Sequence, residues 1–373
     1  MQFETYPFEK LNILLEGIKP DSRYSSIALT IGEPQFETPA FIRDVLCENS
    51  PLLNRYPKTA GEEILKNAQK EFVWRRFNIE LKNDQIIPTF GTREVLFNFP
   101  QFLLHDIKDP VMAFTNPFYQ IYEGAAIAAG AKIVHINLTK KNDFKATIDP
   151  AQLKECDFVI INFPNNPTAS SMSMDDLTKW VQAALEYDFV LLNDECYSEI
   201  YNLLRDPSLL QASKKIGNDE FKNILVVNSI SKRSSAPGLR SGFIAGDAKI
   251  LKEYLRYRTY VGCASPLPLQ LAAAAAWEDE SHAAFFREMY AKNMKLAHEI
   301  LKIKIPQSTF YIWFEVDDDL RFTKSLYEKM NVKVLPGSFL SRGETKEKYV
   351  RIALVEDETR IEEALKRIKE HVE

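Results

Sequence analysis

The chain has 373 residues, 45% of them hydrophobic and 27% charged, a composition typical of a soluble globular protein with a large core. Its formal net charge of −5 argues against nucleic acid or an anionic membrane surface as the main partner, because both attract basic patches. The sequence shows no run of 18 apolar residues and no signal-peptide pattern, so we expect no membrane partner and a cytoplasmic location.

Cysteine and histidine spacing gives no indication of a metal site. Cys47, Cys156, Cys196 and Cys263 lie far apart and lack the short spacings of zinc sites or redox pairs. The five histidines show no H-x-x-H clustering. We therefore expect reduced thiols and no bound metal.

The N-terminal region predicts an arm followed by two helices. Residues 6–17 have a helical pattern, and a short apolar run follows at 27–31. Thr38 and a proline in the first turn suit the start of a helix over 39–49. A second, amphipathic helix is predicted through 64–72.

From residue 85 onward, apolar runs alternate with helical segments. The predicted strands cover 85–90, 110–115, 132–138, 157–163, 189–193 and 224–227. The predicted helices cover 91–105, 117–130 and 173–187, the last opened by a capping box of Ser173 and Asp176. Because these strands are almost continuously apolar, we predict an α/β fold with a mostly parallel sheet covered by helices on both faces.

The C-terminal third has a different, α+β pattern. It predicts a helix to about residue 260, a long helical region over 269–302, strands at 310–316, 332–335 and 349–354, a helix over 320–330 and a terminal amphipathic helix. We predict a large domain over 39–265 and a smaller α+β domain formed by 266–373, with the arm 1–38 belonging to the smaller domain.

Polar residues follow the apolar runs of the predicted sheet. Gly91 and Thr92, Asn166, Asp194 and Lys232 each come after such a run. Ligands of open parallel sheets bind beyond the carboxyl ends of the strands, so we expect these residues to share one site.

A lysine and an aspartate at such a site suit pyridoxal phosphate. Lys232 offers the amine that reacts with the cofactor aldehyde, and Asp194 offers a carboxylate for the ring nitrogen. Backbone N–H groups opening the helix at 91–93 form an anion site for the phosphate, which Arg240 and Ser229 can complete. Each feature alone also has an ordinary structural explanation, such as helix capping or a surface ion pair.

Three motifs carry a family resemblance over nearly the whole chain. Ser229, Ser231, Lys232, Gly238, Arg240 and Gly242 match S-x-S-K-x-x-x-x-x-G-x-R-x-G. Asp194 and Tyr197 match Asp-x-x-Tyr, and residues 166–169 match Asn-Pro-Thr-Gly with alanine at the last position. The chain resembles a fold-type I, class I/II pyridoxal-phosphate aminotransferase. This resemblance implies pyridoxal phosphate as cofactor, small amino and keto acids as substrates, and a homodimer.

The resemblance also implies a role for each matching residue. Lys232, Asp194 and Tyr197 would be catalytic, with Lys232 moving the proton of the substrate α-carbon. The implied cofactor contacts are Gly91, Thr92, Arg93, Tyr119, Asn166, Asp194, Tyr197, Ser229, Ser231, Lys232, Arg240 and, from a partner subunit, Tyr56. Arg351, Asn166 and Gly32 would contact the substrate, with Arg351 on its α-carboxylate. No metal ligand is implied.

A narrower resemblance concerns the substrate. The stretches SKRSSAPGLRSGFIAGDA, NDECYSEIY and YRTYVGCASPLPLQLAAAAAWEDESH are similar to N-succinyldiaminopimelate aminotransferases of bacterial lysine and cell-wall synthesis. They imply glutamate as amino donor and N-succinyl-2-amino-6-oxopimelate as acceptor. Arg23, Lys58 and Arg233 are cations available for the distal carboxylate, and no spacing selects among them.

Several other functions stay open at this point. An aspartate, aromatic or LL-diaminopimelate aminotransferase and a cystathionine-type β-lyase would use the same cofactor residues. A non-catalytic regulator that binds pyridoxal phosphate is more remote, because such proteins usually carry a DNA-binding domain, for which neither end of the chain has room or basic charge.

Overall fold

The computed structural model describes residues 3–343 and 348–373 as alternating helices and strands. The strands are β1 (Ile27–Ala28), β2 (Ile86–Thr89), β3 (Val111–Asn116), β4 (Lys132–Asn137), β5 (Phe158–Ile161), β6 (Val190–Asp194), β7 (Ile224–Ser229), β8 (Gly242–Gly246), β9 (Tyr311–Val316), β10 (Val332–Lys333), β11 (Leu335–Pro336) and β12 (Lys348–Ala353). The helices are α1 (Pro7–Leu15), α2 (Ala40–Glu48), α3 (Glu63–Phe77), α4 (Thr92–Leu104), α5 (Ile121–Ala128), α6 (Pro150–Leu153), α7 (Met174–Glu186), α8 (Leu209–Lys215), α9 (Ile230–Arg233), α10 (Ala248–Val261), α11 (Leu267–Glu278), α12 (Ser281–Leu301), α13 (Asp319–Met330) and α14 (Glu358–Val372).

A seven-stranded sheet forms the centre of the molecule, in the order β2-β8-β7-β6-β5-β3-β4. Strands β7, β6, β5, β3 and β4 run parallel to one another. Strand β8 is antiparallel to both its neighbours, β7 and β2. The predicted mostly parallel sheet is confirmed.

Both faces of this sheet are buried, as the apolar strands predicted. In β5, Phe158 and Ile160 belong to the hydrophobic core on one face, and Val159 and Ile161 to the core on the other. This alternation follows from the two-residue period of a strand. Helices α4, α5 and α10 contribute to the first core, and α3, α7 and α11 to the second.

A smaller antiparallel sheet, β11-β12-β9, packs with α12, α13 and α14 around a separate core. Strand β1 pairs with β10, and Leu11 and Leu15 of α1 pack against Leu335 and Leu340, so the N-terminal arm lies on this unit. Helix α11 packs instead in the core of the large sheet. We therefore propose that the large domain extends to Glu278 rather than ending at residue 265.

The start of α7 and the boundary between α11 and α12 show how side chains determine helix ends. The capping box of α7 is confirmed, because Ser173 Oγ accepts from the Asp176 N–H at 3.1 Å and Asp176 Oδ2 accepts from the Ser173 N–H at 3.1 Å. The predicted long helical region over 269–302 is helical except for a break between α11 and α12. It divides at Asp279, which has an extended backbone and accepts the His282 N–H at 2.9 Å.

Helix α8 has no counterpart in the sequence predictions, since seven residues are too few to show a periodicity. In the described part of the chain, no helix is long and apolar enough to cross a membrane. The same residues contain no group of three or more His, Cys, Asp or Glu side chains that could hold a metal ion.

Candidate active site

The carboxyl ends of β5, β6 and β7 open into a cavity of about 1000 Å³. Most of the predicted site residues line it: Gly32, Thr92, Arg93, Tyr119, Asn166, Asp194, Tyr197, Ser229, Ser231, Lys232, Arg240 and Arg351. Residues separated by more than 300 positions in the sequence thus line one cavity, at the edge where ligands of parallel sheets bind. Gly91 lies behind the wall, against Arg240, and Tyr56 is fully exposed outside the cavity.

Lys232 is carried by the four-residue helix α9, directly after β7. Ser229 Oγ accepts the Ser231 N–H at 3.1 Å and so caps this turn. The Lys232 ammonium donates to the Gly32 carbonyl. Burial, helped by the charges of Arg351 and Arg240, lowers the pKa of Lys232 to about 8 against the opposing effect of Cys196 and Glu33.

Asp194 ends β6 as a buried carboxylate with fixed orientation. Its Oδ2 accepts from the Tyr122 hydroxyl at 2.9 Å, and its Oδ1 accepts from the Cys196 N–H at 3.2 Å. Burial raises the pKa of Asp194, and the hydrogen bonds from Cys196 and Tyr122 counteract this shift. A buried carboxylate held in this way is suited to pair with a protonated ring nitrogen.

The start of α4 and the β7–β8 connection form a cationic recess. Gly91 is the N-cap of α4 at φ 71°, and a Cβ there would overlap the Arg240 guanidinium. Arg240 is anchored through Nη1 to the Pro237 carbonyl at 2.8 Å. Burial lowers the pKa of Arg240, and nearby Arg93 lowers it further. An anion here would relieve the repulsion between these two guanidinium groups.

Tyr119 and Arg93 form one side of the cavity. Arg93 Nε donates to the Tyr119 hydroxyl at 2.8 Å. Burial raises the pKa of Tyr119, so its phenol stays protonated. Apart from this bond, Arg93 makes no hydrogen bond within the described residues, and its two terminal nitrogens are available to a ligand.

Arg351 reaches the cavity from β12. Its Nη1 donates to Asn166 Oδ1 at 2.7 Å and its Nη2 to the Thr30 carbonyl at 2.6 Å. Its Nε is buried with no hydrogen-bond partner in the described part of the chain. The guanidinium lies 4.5 Å from the centre of the Tyr311 ring, a cation–π contact that fixes its plane.

Four residues near these groups were not predicted. Tyr122 and Cys196 hold Asp194, and Asn162 donates to the Asp194 carbonyl at 2.8 Å and accepts the Asn166 N–H at 2.9 Å. Tyr311 has its hydroxyl 3.0 Å from that of Tyr197. Cys196 lies between the motif residues Asp194 and Tyr197, and Asn162 lies one residue before the end of a predicted strand, so those two had a usable signal.

None of the three cations considered for a distal carboxylate lines the cavity. Arg23 and Lys58 are exposed and paired with Asp21 and Glu62. Arg233 is buried elsewhere, beside Glu199 and Glu280.

The side chains of the cavity fit pyridoxal phosphate. Lys232 is a half-buried amine with a lowered pKa, and Asp194 is a buried carboxylate with fixed hydrogen bonds. The recess bounded by Gly91 supplies Thr92, Ser229, Ser231 and Arg240 for a phosphate. Pyridoxal phosphate requires an amine for its aldehyde, a carboxylate for its ring nitrogen and a recess for its phosphate, and the cavity offers all three.

Comparison with known proteins agrees with this fit. Residues 25–368 match the family model described as aminotransferase class I and II. The fold superposes on the crystal structure of aminotransferase AspB from Helicobacter pylori with a TM-score of 0.97, at 50% identity over 99% of both chains. An aminotransferase from Neisseria meningitidis superposes with a TM-score of 0.93, at 38% identity over 98% of this chain and 97% of that one. An LL-diaminopimelate aminotransferase from Natranaerobius thermophilus is 32% identical over 361 residues, covering 92% of this chain and 91% of that protein.

Proposed function

The chain belongs to the class I and II aminotransferase family and is a pyridoxal-phosphate-dependent enzyme, and from this premise we propose that it transfers the amino group of glutamate to N-succinyl-2-amino-6-oxopimelate. The reverse reaction would convert N-succinyl-LL-2,6-diaminopimelate and 2-oxoglutarate. Because the relatives compared are named aminotransferases, they do not favour the β-lyase or the regulator.

The size and charge of the cavity carry the substrate proposal. A volume of about 1000 Å³ is at the upper end of the range for small-molecule sites, which leaves room for an elongated substrate beside the cofactor. Arg351 and Arg93 line this space in addition to Arg240. We assign the α-carboxylate to Arg351 and the distal succinyl carboxylate to Arg93, whose terminal nitrogens are unbonded within the described residues.

The remaining side chains have roles that follow from their positions. When bound, pyridoxal phosphate supplies an aldehyde for the substrate amine and a ring that withdraws electrons from the α-carbon. We propose that neutral Lys232 accepts the proton of the substrate α-carbon and would then pass it to the aldehyde carbon of the cofactor. Asp194 would hold a negative charge at the ring nitrogen, and Asn166 and Tyr197 would donate hydrogen bonds to the ring oxygen.

A panel of keto acids with glutamate as donor tests the proposal. We expect kcat/KM for the N-succinyl acceptor to exceed that for aromatic keto acids by about tenfold or more, since these lack a carboxylate for the second ion pair. Arg93→Gln should raise KM for the succinylated substrate by about tenfold and leave KM for alanine unchanged. Equal kcat/KM values for all acceptors, or an unchanged KM for the succinylated substrate in Arg93→Gln, would contradict the proposal.

LL-diaminopimelate is the second candidate substrate. It is favoured by the relative from Natranaerobius thermophilus, which is named for that reaction. LL-diaminopimelate carries a distal ammonium beside its distal carboxylate, and exposed Glu33, which also lines the cavity, offers a counter-charge for that ammonium. If LL-diaminopimelate is the substrate, Glu33→Gln will raise its KM, whereas the N-succinyl substrate, whose distal nitrogen is an uncharged amide, will keep its KM.

A further inference from the structure

A second cavity, of about 200 Å³, lies apart from the candidate active site and shares no lining residue with it. We call it the Tyr201 pocket, and its lining residues are Arg75, Arg76, Glu199, Tyr201, Arg205, Glu280, Ala284 and Arg287. Four arginines against two glutamates leave an excess of two positive charges in this small space. The pocket lies where the end of α3, the segment after β6 and the beginning of α12 meet.

One wall of the Tyr201 pocket is formed by the ion pair of Arg76 and Glu199. Arg76, only 7% exposed, donates through Nε to Glu199 Oε1 at 2.6 Å. Its Nη2 donates to the carbonyl oxygens of Ser198 at 2.9 Å and Asp206 at 3.2 Å. These bonds fix Arg76 and Glu199 as a rigid surface against which a ligand can rest.

A further arginine lies beside the two carboxylates that line the pocket. Arg233, 1% exposed, donates through Nη2 to Glu280 at 3.1 Å, and its Nε lies 3.9 Å from Glu199. Glu280 also accepts from Arg75 at 3.2 Å. Glu280 is thus neutralised by Arg75 and Arg233. Arg76 neutralises Glu199, whose second oxygen lies 3.9 Å from Arg287 as well as from Arg233.

Arg205 and Arg287 have guanidinium N–H groups that make no hydrogen bond within the described residues. The Arg287 guanidinium lies 4.3 Å from the centre of the Tyr201 ring, and it makes no hydrogen bond within residues 3–343 and 348–373. Its nearest carboxylate oxygen, on Glu199, is 3.9 Å away. Arg205 donates through Nε to the Tyr201 hydroxyl at 3.3 Å, leaving its terminal nitrogens free in the described structure.

We propose that the Tyr201 pocket binds a phosphate-type oxyanion between Arg205 and Arg287, separately from the phosphate of the cofactor. Arg205 and Arg287 line the same cavity beside the Tyr201 ring, and guanidinium groups bind tetrahedral oxyanions through paired, charge-assisted hydrogen bonds. A bound dianion also neutralises the excess charge, whereas partly buried cations without a counter-ion are unfavourable. The volume suits inorganic phosphate or the phosphate group of a small metabolite.

Calorimetric titration of the holoenzyme tests this site. The holoenzyme, freed of unbound pyridoxal phosphate, keeps the cofactor position filled, and chloride keeps the ionic strength constant while sodium phosphate is added. We expect one phosphate site, weakened about tenfold or more by Arg287→Gln and also by Arg205→Gln, because each removes charge-assisted hydrogen bonds. Arg205 is exposed, so its variant will fold even if Arg287→Gln does not.

Arg256→Gln is the matched control, since Arg256 is an exposed arginine of α10 that pairs with Glu253 at 2.9 Å, and it should leave phosphate affinity unchanged. A parallel titration with glycerol phosphate distinguishes the two sources: tighter binding of inorganic phosphate identifies a free oxyanion, and tighter binding of the ester identifies a phosphorylated metabolite. No phosphate-specific heat in the wild-type holoenzyme, or equal affinity in the Arg205→Gln/Arg287→Gln variant, would overturn the proposal.

Discussion

Burial sets the protonation states of the two central groups of the candidate active site. It lowers the pKa of Lys232 to about 8, because an ammonium loses its hydration there. It raises the pKa of Asp194, where hydrogen bonds from Cys196 and Tyr122 stabilise the charged form. Lys232 is therefore half neutral at pH 8, and a neutral amine is the form that attacks an aldehyde.

This pKa predicts how fast the cofactor-free chain binds pyridoxal phosphate at each pH. Below pH 8 the neutral fraction of Lys232 changes about tenfold per pH unit, so the rate should rise with that slope and level off above pH 8. Stopped-flow absorbance at the wavelength of the bound cofactor measures it. A rate that continues to rise up to pH 10, as an ordinary solvated lysine would give, would show that Lys232 is not the reacting amine.

Tyr311 is expected to act as a positioning residue for Arg351. Its ring lies 4.5 Å below the guanidinium, and such a contact contributes about 1–2 kcal/mol when it is shielded from water. Tyr311→Phe keeps the ring, so KM for glutamate should change less than about twofold. Tyr311→Leu removes the ring and should raise KM about tenfold with a smaller effect on kcat. Equal KM values in the two variants would exclude the cation–π contact as the cause.

At the scale of elements, strand ends and helix starts position the cofactor residues. Asp194 ends β6, Lys232 follows β7 and Thr92 opens α4, so local apolar patterns were sufficient to place them at one edge of the sheet. Tyr311 comes from the small sheet and meets Tyr197 across 114 positions of sequence. Such a pairing depends on how the two units pack, and no local pattern encodes it.

The break between α11 and α12 has a similar explanation. Residues 269–302 are rich in good helix formers, which predict one continuous helix. The Asp279 carboxylate, however, accepts the N–H of His282, and capping of this kind competes with helix continuation. Helix propensity could not predict that the His282 ring also forms a hydrogen bond with the hydroxyl of Ser234, two residues after Lys232.

Gly91 provides a test of the α4 helix start. Alanine there would be strained at φ 71° and would displace the Arg240 guanidinium. Gly91→Ala should therefore weaken pyridoxal phosphate by about tenfold or more, as judged by equilibrium titration. Gly130→Ala is the matched control, because Gly130 has φ 68° and open space around its Cβ position. Similar cofactor affinities in both variants would mean that the Arg240 contact is unimportant.

At the scale of the whole molecule, Tyr56 is the predicted cofactor residue that concerns the assembly of two subunits. Its side chain is 100% exposed and lies outside the cavity, although the family resemblance assigns it to the cofactor phosphate of a partner subunit. We propose a homodimer in which Tyr56 completes the partner's site.

Mixing two inactive variants tests this assembly. A hybrid of Lys232→Ala and Tyr56→Ala subunits contains one site with both Lys232 and the partner's Tyr56 intact. Transaminase activity at limiting pyridoxal phosphate should therefore recover when the variants are unfolded, mixed and refolded together. If Tyr56 acts within its own subunit, the mixture will show only the summed activities of the separate variants.

The central claim is that Lys232 carries the cofactor, and covalent trapping tests it most directly. The holoenzyme is reduced with sodium borohydride, digested and examined by mass spectrometry, so that the lysine bonded to the cofactor keeps a pyridoxyl-phosphate group. We predict this group on Lys232, in the peptide that follows β7. The label on another lysine, or an unlabelled Lys232 peptide from fully reduced holoenzyme, would contradict the assignment.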